Sequence, residues 1–179
     1  MPLASTTLTR ADLGKDWDTV ADRGSSHDPH RYCGPVFPSD AALIGRANVE
    51  YVRHTDGLRI EEEVSDYRAG QGQAAVDDYT TALRTCGRYT TGSGATQLTT
   101  DMVPDSWATR RGDATTSGKV TFSNSQVTLY SRLVVFRTRD RVVVASISFT
   151  DESTLNHTAA GLATRAWTTA TSPKTPAPR

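Results

Sequence analysis

The chain has 179 residues and a mass of 19.4 kDa, enough for one domain of ordinary size, with 20 basic residues balancing 20 acidic ones. Zero formal net charge and a pI near 6.9 give no global attraction for nucleic acid or an anionic membrane, so neither is expected as a partner. Only 36% of the residues are hydrophobic, yet a chain of this length buries about 70% of its unfolded surface, so a packed core is within reach. No run approaches the roughly 20 apolar residues of a spanning helix, and the opening Met-Pro-Leu-Ala-Ser-Thr-Thr lacks the apolar core of a signal peptide. Any membrane attachment is therefore expected through a leader or anchor outside these residues.

In chain order, Thr9-Arg-Ala-Asp12 has the form of a capped helical turn leading to Leu13 and Trp17, with irregular chain after it. His27-Asp28-Pro29-His30 precedes Cys33. Imidazole beside a thiol is the pairing that activates a cysteine nucleophile, but adjacency in sequence is weak support, and a polar loop before a structural cysteine is the preferred reading. The same two histidines have no third ligand at a recognised spacing, so no metal is expected, and His54 and His157 stand alone.

From Arg46 to His54, Ala47, Val49 and Tyr51 alternate with polar residues; Asp56-Gly57 supplies a turn, and Leu58, Ile60 and Val64 alternate on the return. This predicts a hairpin. After Ala69-Gly-Gln-Gly72, the spacing Ala75, Tyr79, Ala82, Leu83, Cys86 predicts a helix ended by Gly87. Thr91-Gly-Ser-Gly-Ala95 lacks the Lys-Ser/Thr ending of a phosphate loop and reads as a plain loop. Residues 96–103 and 118–122 have weaker strand character. A second hairpin follows: a strand over Gln126–Arg137, a turn at Arg139-Asp140, and Val143, Ala145, Ile147 and Phe149 on the inner face of the return. Asp151 or Ser153 caps a helix carrying the stripe Leu155, Ala159, Leu162, Ala163 and Ala166. Residues 171–179, rich in proline, predict a frayed tail after a single domain over residues 8–170.

Two hairpin-plus-helix units imply an α+β fold, an antiparallel sheet with helices packed on one face. The two cysteines, Cys33 and Cys86, leave two readings open: buried thiols in a reducing compartment, or a bridge in an exported protein closing a loop of about 54 residues, worth roughly 4 kcal/mol in the chain-entropy model. In Glu61-Glu62-Glu63 the middle carboxylate falls on the apolar side of its strand with Leu58, Ile60 and Val64. It needs a partner there, and Arg132 is a candidate. That pair is either a structural ion pair or the polar floor of a ligand cleft, which Tyr51, Tyr67 and Tyr130 would line; Trp107 is a further candidate. No nucleophile elbow, zinc-protease motif or dinucleotide fingerprint occurs, so neither catalytic residues nor a cofactor is expected.

Taken together, Leu8-Thr-Arg-Ala-Asp-Leu-Gly14, the cysteine ahead of Gly-Pro-Val-Phe37, Asp56-Gly-Leu-Arg-Ile-Glu-Glu-Glu-Val64, Ala82-Leu-Arg-Thr-Cys86 and the last hairpin and helix resemble the PknH-like extracellular sensor domain family. That family comprises ectodomains of actinobacterial receptor kinases and related exported lipoproteins. The resemblance implies a helix-flanked antiparallel sheet with a cleft, a Cys33–Cys86 disulfide, and extracytoplasmic placement, secreted or lipid-anchored on the outer face of the membrane. It further implies non-enzymatic binding of an unidentified small molecule or envelope component. Kinase-attached members carry two bridges, and this chain has cysteines for one, which favours a lipoprotein or free-standing member. A protein interaction module and a small enzyme on a cone-shaped α+β fold are the alternative readings.

Overall fold

A computed structural model describes residues 6–26, 33, 36–94 and 97–172. The calls on His27, His30 and most of the proline-rich tail lie outside the described residues. The order of elements is α1 (Arg10–Leu13), β1 (Trp17–Ser26), a 3-10 turn (Pro38–Ala42), β2 (Leu43–Arg53), β3 (Arg59–Tyr67), α2 (Gly72–Thr85), β4 (Arg88–Thr91), β5 (Leu98–Pro104), β6 (Ala114–Ser123), β7 (Thr128–Thr138), β8 (Arg141–Phe149) and α3 (Glu152–Thr171). The eight strands form one sheet in the order β1-β2-β3-β8-β7-β6-β5-β4, and every neighbouring pair is antiparallel.

Local chemistry sets the boundaries. Thr9 and Asp12 form a reciprocal capping box on α1. Asp56 accepts from the Leu58 N–H and pairs with Arg53, and Gly57 takes the positive φ of 82° that closes the first hairpin. Asp151 caps α3 by accepting from the Thr154 N–H at 2.7 Å. The start of α2 has no cap on its own chain segment. Its first N–H, from Gly72, goes to Asp140 in the β7–β8 turn at 3.2 Å, and a Cβ on Gly72 would stand 2.7 Å from the Arg139 carbonyl oxygen.

The α+β class, the antiparallel sheet and the two hairpin-plus-helix units are as the sequence predicts. The helices, however, do not share a face. Ile60, Val64, Val134, Phe136, Val143, Ala145 and Ile147 pack against Leu155, Leu162 and Ala166 of α3. Leu133, Val135, Val142 and Val144 pack against Val76, Tyr79 and Leu83 of α2 on the opposite side. The reason is in β7 and β8: Leu133-Val-Val-Phe136 and Val142-Val-Val-Ala145 are continuous apolar runs, and a strand apolar on both faces needs cover on both. A second addition is β1, ten residues pairing with β2 where the sequence suggested irregular chain; its register breaks twice, at Thr19/Ala21 and Asp22/Gly24.

Cys33 and Cys86 are disulfide-bonded with Cα atoms 5.7 Å apart. The bond joins the segment before the 3-10 turn to the C-terminal cap of α2, where Phe37 meets Tyr79 edge-on at 4.9 Å between ring centroids.

Candidate functional site

On the α3 side of the sheet, Glu62 is fully buried, in register with Val49 on β2 and Ala145 on β8. Its carboxylate accepts from the backbone N–H of Leu8 at 2.5 Å, and the Tyr51 hydroxyl donates to the Leu8 carbonyl at 3.1 Å. These two side chains therefore hold the N-terminal segment, whose Thr6, Thr7 and Leu8 are all buried. Arg132 shares this face but is engaged with α3: its guanidinium donates to the Asn156 side-chain oxygen and pairs with Glu152 at 2.9 Å. Tyr130 is half-buried against the same core, opposite Phe149 and Thr121. The structure thus brings Glu62 and Tyr51 together around Leu8 and draws Arg132 to the helix. His54 sits half-exposed within 4 Å of Asp16 and Asp18.

Tyr67 projects from the other face. Burial pushes its hydroxyl well above the ordinary phenol value, and the negative charge of Glu63 and Asp40 adds to the effect. Beside it Arg46, 5% exposed, pairs with Asp40 at 3.2 Å and with Glu63 at 3.3 Å, and Glu63 also accepts from Ser65. This ionic cluster fills the space under the 3-10 turn. Among the described residues no group of three histidine, cysteine, aspartate or glutamate side chains is arranged to hold a metal ion.

The same face carries a groove that α2 leaves uncovered. Its volume is about 300 Å3, and it is floored by side chains from β2, β3, β8 and β7: Glu50, Arg59, Glu61, Ser146, Ser148 and Leu129, with Phe122 of β6 at one end. Register explains the assembly, since Glu50, Glu61 and Ser146 form one cross-strand row and Arg59, Ser148 and Ser131 the next. Arg59 donates to Glu50 at 2.8 Å, and the Ser131 and Ser146 hydroxyls are 2.9 Å apart. Carboxylate, guanidinium and hydroxyl groups thus line one groove beside an aromatic ring. Sequence reasoning missed these residues because it followed the apolar parity of each strand. The available signal was the opposite parity, Ser146 and Ser148 within the last strand and Glu61 beside Glu62.

The fold is that of the extracellular domain of PknH from Mycobacterium tuberculosis. The match has a TM-score of 0.66 and covers 94% of this chain and 92% of that one, at 11% sequence identity. No family model and no curated protein sequence matches the chain. The PknH-like resemblance therefore stands as a likeness of fold. Among the described residues no helix is long and apolar enough to cross a membrane.

Proposed function

We propose that this chain is an extracytoplasmic, non-enzymatic sensor domain, in which the groove beside α2 reversibly takes a small polar ligand bearing several hydroxyl groups. The observation that carries the reading is the polar strip itself: Glu50, Glu61, Arg59 and Ser146, with the buried Ser148 on the floor, line a groove one row away from fully covered valines. Planar carboxylate and guanidinium groups offer paired hydrogen bonds to neighbouring hydroxyls, and Phe122 offers an apolar face to ring C–H groups. The Cys33–Cys86 bond supports an oxidising compartment, and the likeness to an extracellular domain agrees with it. Attachment to the outer face of a membrane through a leader or lipid anchor belongs to the same proposal.

The groove, and not the Glu62–Tyr51–Arg132 set, is where binding is expected, because those three side chains are occupied by Leu8 and α3. The test is titration of the isotope-labelled protein with neutral di- and trisaccharides, following backbone amide shifts. Saturable shifts at residues 59–61 and 146–148, weakened at least tenfold by Glu61→Ala with the melting temperature held, are the expected result. Absence of saturable shifts there, or unchanged binding by the variant, overturns the reading.

A further inference from the structure

A larger cavity lies away from that groove, at the end of the sheet where β6 outruns β5. The β5–β6 ladder stops at Pro104↔Gly118; beyond it Asp105 and Arg111 of the connection hydrogen-bond Ser117 and Thr115, and an open space remains between this stretch of β6, the connection and α2. The space is about 710 Å3, enough for a ligand larger than a single ion. Its lining is rich in donors. Arg84 comes from the last turn of α2 and Arg110 from the connection, and both are exposed with no hydrogen bond or ion pair to any described residue. Ser106 and the half-buried Thr116 line the same wall and likewise have no side-chain hydrogen bond among the described residues. Asp105 is the one carboxylate on the wall, and Lys119 stands 3.6 Å from it. Two guanidinium groups and two hydroxyl groups therefore line one cavity, and none of them donates a hydrogen bond to a described residue. Elsewhere Arg141 and Arg53 pair with Asp66 and Asp56, and Arg68, Arg111 and Arg165 hydrogen-bond backbone carbonyls or a threonine hydroxyl.

We infer that this cavity is a binding site for a phosphorylated sugar or polyol, with Arg84 and Arg110 holding the phosphate and Ser106 and Thr116 donating to its oxygens or to ligand hydroxyls. A phosphate monoester presents three acceptor oxygens and nearly two negative charges, which matches unpaired guanidinium groups, and the remaining volume accommodates the carbon skeleton. The same chemistry occurs on a soluble sugar phosphate and on a phosphoglycerol lipid headgroup, and the experiment separates the two. Calorimetric titrations would use glucose 6-phosphate, glucose, glucuronate and inorganic phosphate, and flotation would use vesicles of phosphatidylglycerol or phosphatidylcholine. The expected result is saturable binding of glucose 6-phosphate, at least tenfold tighter than glucose or glucuronate, lost tenfold or more in Arg84→Gln and in Arg110→Gln and partly kept in Arg84→Lys. Flotation with phosphatidylglycerol that depends on both arginines assigns the headgroup as the source; no flotation assigns the soluble ligand. Binding that is equal for glucuronate, or unchanged in both glutamine variants while the melting temperature is unaltered, overturns the inference. Because Glu61 lies outside this cavity, Glu61→Ala is expected to bind glucose 6-phosphate like the wild type, which keeps failure here separate from failure of the groove.

Discussion

Glu62 shows how a residue can be legible in direction and illegible in partner. Strand alternation places its carboxylate on the apolar side, and the structure confirms the side; the partner, the Leu8 N–H, lies 54 residues earlier in a segment with no periodic signal. Strand parity offers Arg132 as a possible partner, but α3 supplies it with Glu152 and Asn156, and no strand pattern reveals what a helix passing overhead will carry. Replacing Glu62 by Ala leaves the Leu8 N–H buried without its acceptor, and the expected loss is about 3 kcal/mol in urea denaturation. Glu62→Gln retains an acceptor and should lose less, and Tyr51→Phe about 1 kcal/mol; equal stability of all three variants and wild type would refute the anchoring role. Asp140 carries a second prediction. Its carboxyl is held below the ordinary 3.8 by the backbone N–H groups of Gly72, then Gly70 and Gln71, at the start of α2. A carboxylate with a depressed folded pKa contributes stability above its unfolded value, about pH 4, and loses it as the pH falls through the folded value. Asp140→Asn should therefore melt lower than wild type near pH 7, with the gap closing as the pH falls below about 4 and through the folded value. A gap that persists or widens in acid would show that the carboxylate's charge is not what holds the helix start.

At the scale of elements, both hairpins and both long helices were readable because their periodicity is set by residues that also form the core. β1 was not, since Asp18, Thr19 and Asp22 interrupt any apolar alternation and its pairing to β2 is interrupted by two register shifts. The first turn of α2 looked like a bare glycine breaker because its cap comes from Asp140, 68 residues away. The disulfide ties α2 to the 3-10 turn, and its removal in a Cys33→Ser, Cys86→Ser double variant should lower stability by about 4 kcal/mol, the loop-closure value for this separation. Thiol titration of the unfolded wild type should find none before reduction and two after. A double variant as stable as the wild type would mean that packing of Phe37 on Tyr79 alone secures the segment. Gly118 marks another long-range contact of α2. A Cβ there would lie 2.4 Å from a Leu83 methyl and 2.8 Å from the Val103 carbonyl oxygen, so Gly118→Ala should cost about 1–3 kcal/mol by pushing the helix off the sheet. Adding Leu83→Ala should restore only the part due to the methyl, and a double-mutant cycle measures that part as a coupling between the two sites.

For the whole molecule, the decisive fact is that β7 and β8 are apolar on both faces, so one hairpin belongs to two cores. The sequence contained this as unbroken valine runs, but a count of alternating positions registers only one face at a time, which is why a single helical layer looked sufficient. Sharing has a consequence for cooperativity. All three tryptophans, Trp17, Trp107 and Trp167, pack with the α3 core, whereas far-ultraviolet circular dichroism reports both layers. If α2 and α3 covered separable units, Leu155→Ala, which opens a cavity under α3 at a cost of about 2–5 kcal/mol, would shift the fluorescence transition and leave part of the dichroism transition behind. Because Val134 and Phe136 face α3 while Leu133 and Val135 in the same strand face α2, loss of one layer strips the strand that supports the other. The two probes should therefore give one coincident urea midpoint in wild type and variant alike, displaced together by the substitution. Divergent midpoints would show that the sheet persists under α2 after α3 has left, and that the two faces fold as separate units.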